Sequence, residues 1–321
     1  MPRIPKTMRA AAIDRFGGPS VLKIHELPVP SVGAREVLIA LDTSGVGSWD
    51  AEIRAGWWPE GKPRFPLVLG TDGAGRIAAL GSRVRRFRIG DRAYAYNFIN
   101  RKGGFYAEYA AVPERKVGRV PKRLDTRSAG AVATTGLTAL QGVDDALRLR
   151  RGETVIIHGA SGGVGTLAVQ FAKRRGARVL ATAKGQDGVA LVRRLGADEA
   201  VDDRREDIAA AARRFAPDGV DAVLALVGGK ELGRCLDALR RGGRVAYPNG
   251  IEPEPRKRRG IQIRSYDAVS GVREFQRLGR AVEATRLRVP IAAAYRLADA
   301  AKAHRRLEKG HVLGKIVLRI R

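Results

Sequence analysis

The sequence predicts a two-part α/β chain, in which a doubly wound parallel sheet stands beside a β-rich, barrel-like domain drawn from both chain ends. Three observations carry this prediction. A strand, a glycine-rich turn and a helix follow one another between Thr154 and Arg175. Helices and strands alternate from about Leu124 to residue 265, the order that builds a parallel doubly wound sheet. The first 122 residues instead carry short β segments broken by Gly and Pro, a texture expected of a barrel. The division expected is therefore 1–122 with 266–321 in one domain, and 123–265 in the other.

In chain order, Met8–Ile13 reads as a first strand running into the Gly17-Gly18-Pro19 turn, rather than as part of a basic transit peptide. Further β segments are expected at Val37–Ala40, Val68–Leu69, Gly75–Ala79, Arg92–Ala95 and Tyr106–Val112. In the second part, strands are expected at 154–158, 178–182, 200–202, 221–227, 243–247 and 261–265. Helices are expected near 134–146, 164–175, 188–195, 206–214 and 230–240. The tail adds helices at 270–286 and 298–308, then an apolar strand, Lys315–Ile320, free to rejoin the first domain.

The unit at 154–175 is the most informative. Thr154–His158 is apolar and β-branched, the pattern of a strand buried on both faces. The turn Gly159-Ala160-Ser161-Gly162-Gly163-Val164-Gly165 has too little side chain to pack as core. Val164, Leu167, Ala168, Phe171 and Ala172 then recur at helical spacing, with Gly176 at the helix stop. Bare backbone at a helix start suits a pyrophosphate, because the N–H groups point outward, the helix dipole favours negative charge and a Cβ would block close approach. Ser161, Gly162, Gly163, Val164 and Gly165 are thus candidate dinucleotide contacts, and Asn249 is a further one. The same residues also fit the G-x-S-x-G elbow of an α/β-hydrolase with Ser161 as nucleophile. That alternative needs a later acid and histidine, for which Asp221 and His304 are the nominees.

The nucleotide expected is NADPH. A dinucleotide fold that selects NAD places Asp or Glu about twenty residues after the glycine turn, to hold the adenine ribose hydroxyls. Here that position is Ala183, followed by Lys184, whose ammonium suits a 2′-phosphate. Asp203 complicates the local charge, with Arg204 beside it.

Composition fits a cytoplasmic globular protein, with 44% apolar residues and no apolar run long enough for a membrane span. One cysteine, Cys235, excludes an internal disulfide framework and reads as core. The net charge of +27 comes from 60 Lys and Arg spread over the chain. Aromatics are only 6% and do not interleave the basic clusters, so specific nucleic-acid binding, the other alternative, is not expected.

Several segments together resemble the medium-chain dehydrogenase/reductase superfamily, and within it the zinc-independent quinone oxidoreductase branch. They are Ser44-Gly45-Val46, Arg54-Ala55-Gly56, Leu69–Gly75, Gly90-Asp91-Arg92-Ala93, Gly104–Tyr109, His158–Gly165, Ala303-His304-Arg305 and Gly314–Leu318. The resemblance implies a Rossmann sheet with a discontinuous GroES-like β-barrel catalytic domain, and a homodimer. It implies hydride transfer from NADPH to a small electrophilic acceptor, a quinone or α,β-unsaturated carbonyl, with enoyl-thioester and alkenal reduction as alternatives. Zinc-dependent relatives bind metal at the positions matching Gly47, Thr71 and, approximately, Ala133 or Thr134, none of which is a thiolate or imidazole. No metal site is therefore expected. The branch's pocket asparagine is replaced by Gly47, and its pocket tyrosine falls at Trp58. Tyr96 and Asn97 are further pocket candidates, with Tyr94 beside them. No general acid is assigned. His158 and His304 read as structural, and Asp50 and Asp72 as turn or buried hydrogen-bonding residues.

Overall fold

The computed structural model describes residues 4–59 and 61–321. The N-terminal part supplies strands β1 (Thr7–Ile13), β2 (Lys23–Pro28), β3 (Glu36–Val46), β4 (Leu67–Val68), β5 (Asp72–Leu80), β6 (Arg92–Tyr96), β7 (Tyr109–Pro113) and β8 (Val117–Arg119). Helix α1 (Ser48–Ala55) lies between β3 and β4. Two short helices, α2 (Thr126–Gly130) and α3 (Ala133–Gln141), lead out of this region. The alternating part follows as β9 (Thr154–His158), α4 (Gly163–Arg174), β10 (Arg178–Ala183), α5 (Gly185–Arg194), β11 (Glu199–Asp202), α6 (Ile208–Phe215), β12 (Val220–Ala225), α7 (Lys230–Asp237), β13 (Leu239–Pro248) and β14 (Gln262–Tyr266). The tail contributes α8 (Val272–Thr285), β15 (Ile291–Arg296), α9 (Ala300–Glu308) and β16 (Lys315–Arg319).

Strands β9 to β14 form one six-stranded sheet in the order β11-β10-β9-β12-β13-β14, with every pairing parallel. The order reverses beside β9, which creates the crevice at the carboxyl ends of the strands where such sheets bind ligands. All five residues of β9 are buried, as its unbroken apolar run requires. The second sheet runs β15-β16-β3-β5-β6-β8 with β7 also paired to β3, and β2-β1-β4 forms a third. The C-terminal strand therefore does rejoin the β-rich region: Ile316 pairs opposite Val46, antiparallel to β3. Helix α8 packs between the two parts, touching α3, α4 and β8. No helix among the described residues is long and apolar enough to cross a membrane.

The departures from expectation have local causes. Strand β3 extends to Val46 instead of stopping at Ala40, because its polar residues are satisfied: Thr43 Oγ1 donates to Thr126 O at 2.7 Å and Ser44 Oγ to Asp72 O at 2.6 Å. The segment at 106–112 begins pairing as a strand only at Tyr109, since Tyr106 N is committed to Leu69 O. The helix expected at 134–146 is α-helical to Gln141 and closes with a π turn at Gly142–Ala146. Helices α1 and α2 and strands β2, β8 and β15 are not among the expected elements. All five are short, and β2 and β15 are half-exposed, so tertiary pairing rather than an apolar pattern maintains these two strands.

Candidate active site

A cleft of about 970 Å³ lies between the parallel sheet and the β-rich region. One end is the glycine turn. Gly162 caps α4 in an extended conformation without a side-chain cap, and Gly163, Val164 and Gly165 follow it on the cleft wall. Thr166 N bonds to Gly162 O and the Gly163 N–H is turned toward Gly314, which bridges to this turn, whereas the N–H groups of Val164 and Gly165 make no bond among the described residues. Two free donors at a positive dipole end fit a diphosphate. The glycines have separate roles. A Cβ on Gly165 would stand 2.5 Å from Gly159 O, so this residue lets the helix pack against the strand. A Cβ on Gly162 meets nothing closer than Gly159 O at 3.6 Å, so its bareness keeps the cleft open.

The other nucleotide candidates surround this turn. Ser161 lies beside it, with its side chain against Gly188 of α5 and its carbonyl accepting from Gly314 N at 2.8 Å. Ala183 ends β10 fully buried, and exposed Lys184 caps α5 immediately after it. Buried Asp203 is near enough to Lys184 that the ammonium opposes the upward push of burial on its carboxyl pKa. Asn249, at the end of β13, lines the cleft and donates to Asp267 Oδ2 at 2.8 Å. Ser161 and Lys184 stand outside the cleft lining, and the remaining nucleotide candidates form part of it.

The opposite end is walled by aromatics. Trp49 packs 5.2 Å from a tilted Trp57 and 5.0 Å from an edge-on Phe98, and all three residues line the cleft. Two sequence expectations change here. Trp57, not Trp58, lines the cleft: α1 ends at Gly56 with φ +124°, and Trp57 N returns to Glu52 O, folding its ring against Trp49. Trp58 packs instead on the core of the β-rich region. Asn97 also faces away, its Oδ1 accepting from Lys116 Nζ at 2.8 Å, because successive residues of an extended chain point to opposite sides. Tyr96 does line the cleft, and burial, with Asp72, Asp267 and Asp50 adding to it, pushes its phenol pKa up. Tyr94 is wholly buried against Phe275.

Behind this wall runs a buried chain of polar groups missed in the sequence. Asp50, third residue of α1, accepts from Gly47 N at 2.8 Å and from the Tyr106 hydroxyl at 3.2 Å. The Tyr106 hydroxyl also meets His304 Nε2 at 3.1 Å, and Arg54 Nη1 stands 3.0 Å from His304 Nδ1. Since Arg54 can only donate, Nδ1 accepts and Nε2 carries the proton. Arg54 Nη2 completes the chain on Glu308 Oε1 at 2.5 Å. Burial, helped by Arg54, holds His304 down at about 3, so it is neutral. Burial pushes Asp50 up to about 6, against the pull of Lys315. Of the two readings of Asp50 and Asp72, turn or buried hydrogen-bonding residues, the second holds: both are buried, and Asp72 Oδ2 accepts from Thr134 N at 2.9 Å.

The hydrolase residues do not assemble. Asp221 lies at the start of β12, bonded to Thr154 and Arg240, while His304 belongs to the chain just described. His158 is bonded to Thr182 through Nδ1, and burial lowers it to about 4. Of the positions matching a catalytic zinc site, Gly47, Thr71 and Thr134 meet in the cleft and Ala133, the other choice for the third, lies outside its lining; none offers a thiolate or imidazole, and they do not fit the ion. Among the described residues no three His, Cys, Asp or Glu side chains are grouped to hold a metal.

Comparison with known proteins agrees with this layout. Residues 33–122 match the alcohol dehydrogenase GroES-like domain, and residues 195–318 match the zinc-binding dehydrogenase family. A quinone oxidoreductase from Lama guanicoe is 33% identical over 326 residues, spanning 98% of each chain. The solved quinone oxidoreductase from Coxiella burnetii superposes with a TM-score of 0.87 at 31% identity, covering 98% of this chain and 100% of that one. A mycobacterial protein solved in complex with NADPH gives 0.86 at 28% identity, again covering 98% and 100%.

Proposed function

The chain belongs to the quinone oxidoreductase branch of the medium-chain dehydrogenase/reductase superfamily and is an oxidoreductase, and from that premise we propose that it is a zinc-independent reductase using NADPH. The acceptor is a quinone or another α,β-unsaturated carbonyl. The observation that supports this reading most directly is the cleft itself, with free helix N–H groups at one end and an aromatic wall without thiolate or imidazole at the other. Bound there, the reduced nicotinamide would supply hydride. The residues of the chain hold the phosphates, screen the acceptor from water and present its electrophilic carbon. A flat conjugated acceptor suits the Trp49, Trp57 and Phe98 rings.

Lys184 supports the choice of NADPH, and the NADPH-complexed mycobacterial relative agrees with it. Asp203 is the observation favouring a second reading, NADH, because a carboxylate at the adenosine end would accept from ribose hydroxyls and repel a 2′-phosphate. Fluorescence titration with both cofactors decides between them. Lys184→Ala is expected to raise KM for NADPH on the order of ten- to a hundredfold, as loss of one charge-assisted contact should, and to leave NADH use nearly unchanged. Equal effects on both cofactors would refute the assignment. A panel of quinones, enones, alkenals and enoyl thioesters then ranks acceptors. We also propose a homodimer, for which the outer strand β14 leaves one edge unpaired, and a mass measurement in solution tests it.

A further inference from the structure

The lining of the cleft contains one Lys or Arg side chain among the described residues, Lys315, although the chain has 60 such residues. Lys315 opens β16, its backbone N held by Pro290 O at 3.0 Å. Its side chain runs along the cleft from the nucleotide end to the acceptor end. Cδ lies 3.3 Å from the point a Cβ on Gly163 would occupy, and Nζ lies 3.1 Å from the corresponding point on Gly47. A Cβ at position 47 would crowd the ammonium, and glycine leaves it room. Among the described residues Nζ makes no hydrogen bond or ion pair, so its charge is available to a ligand.

Two carboxyl groups flank the side chain. Asp72 Oδ1 stands 2.5 Å, and Lys315 Cε 3.0 Å, from the Cβ point of Gly45, and Asp50 Oδ2 stands 3.7 Å from that of Gly47. Each of the two carboxyl groups has a buried Oδ1 without a partner. Two buried carboxyl groups thus flank the Lys315 side chain, and the Tyr106–His304–Arg54 chain fixes one of them, Asp50.

We propose that the Lys315 ammonium receives the acceptor's carbonyl oxygen and delivers the proton that completes its reduction, with Asp50 and Asp72 as positioning residues. The proposal rests on the reductase reading above. Addition of hydride forms a C–H bond at the electrophilic carbon and moves an electron pair onto the acceptor oxygen. An Nζ–H bond of Lys315 then breaks as an O–H bond forms. The neutral amine regains its proton from water, and the nicotinamide is the species oxidised. A cation here supplies at the reacting oxygen the positive charge that the residues at Gly47, Thr71 and Thr134 do not recruit as metal.

The test uses the full chain with saturating NADPH, comparing Lys315→Met and Lys315→Ala with the unaltered protein. Removing a general acid should lower kcat on the order of a hundredfold. The NADPH dissociation constant, read by fluorescence, should stay within about threefold, since binding and chemistry separate when a group acts only in the transition state. Small alkylamines should restore turnover to Lys315→Ala, more strongly as their basicity and fit improve, and a merely structural lysine would show no such rescue. Asp50→Asn should lower kcat by less and leave cofactor affinity unchanged. If Lys315→Met keeps its kcat and instead loses NADPH affinity, Lys315 is a phosphate contact and the proposal is overturned alone. If the unaltered protein turns over no NADPH with any acceptor, the reductase reading falls and takes this proposal with it.

Discussion

At the nucleotide end of the cleft, the groups offered to a ligand are the backbone N–H groups of two consecutive residues, Val164 and Gly165. At the acceptor end they are side chains collected from α1, β6 and β16 and from the loops beyond, over more than 250 residues of sequence. The first kind of site is local. It needs a strand, a turn without side chains and a helix, and nothing distant can substitute for them. The second is non-local, since Lys315 joins Trp49, Tyr96 and Phe98 only after the C-terminal strand pairs with β3. Changes at the two ends should therefore fail differently.

The largest effect is expected at Gly165. A Cβ there would press on Gly159 O and the Ala160 backbone, neither of which can yield cheaply. Gly165→Ala should displace the start of α4 and weaken NADPH binding by more than about a hundredfold, a loss exceeding one hydrogen bond. Gly162→Ala, with open space around its added methyl, should leave Tm unchanged and still weaken binding. If both variants bind NADPH normally, the turn is not the phosphate site.

Tyr106→Phe probes the other end. It leaves Asp50 Oδ2 and His304 Nε2 short of a partner in a buried place, a loss of about 1–3 kcal/mol in stability by denaturant unfolding. Cofactor affinity should not follow, while KM for the acceptor should rise as α1 loosens. A parallel loss of NADPH affinity would show that the two ends are coupled.

How much of this could be read beforehand follows the same division. The parallel sheet was legible nearly strand by strand, because its pattern and its glycines act over short stretches. Strand β9 and the Gly176 helix stop stand where the residues place them. Trp57 was exchanged for Trp58 because adjacent tryptophans carry no signal of which faces a cleft. Asn97 resembled a pocket residue until its partner, Lys116, was seen. Lys315 was visible as part of an apolar terminal strand and of the Gly314–Leu318 segment, neither of which places its ammonium. Its role depends on two glycines, Gly45 and Gly47, some 270 residues earlier.

The buried acid and base behind the aromatic wall give a smaller, pH-dependent test. His304 is held at about 3, below its ordinary 6.5, by burial and by Arg54. As pH falls through 6.5 toward 3 the unfolded chain takes up a proton that the folded one refuses, so stability present above that window is lost within it. Asp50 has the opposite sign. Raised by burial from 3.8 to about 6, it keeps a proton in the fold that the unfolded chain releases, so its contribution is lost as pH rises through that range. His304→Gln should consequently lose less Tm than the unaltered protein between pH 6.5 and 4. An unchanged pH slope would contradict a neutral His304.

Ser161→Ala should have the smallest effect. Its hydroxyl can offer a nucleotide one hydrogen bond, so binding should weaken by about 1 kcal/mol and turnover persist. Covalent labelling of Ser161 by a serine-hydrolase probe would instead revive the G-x-S-x-G reading.

The central claim is that this cleft moves hydride from a nicotinamide to a conjugated acceptor without a metal ion. The most direct measurement is the rate of NADPH oxidation with a quinone or enone acceptor, set against the zinc content of the same preparation before and after chelation. The account predicts turnover that is independent of zinc and unchanged in the metal-stripped protein. Turnover that rises in proportion to bound zinc, and vanishes with its removal, would contradict it.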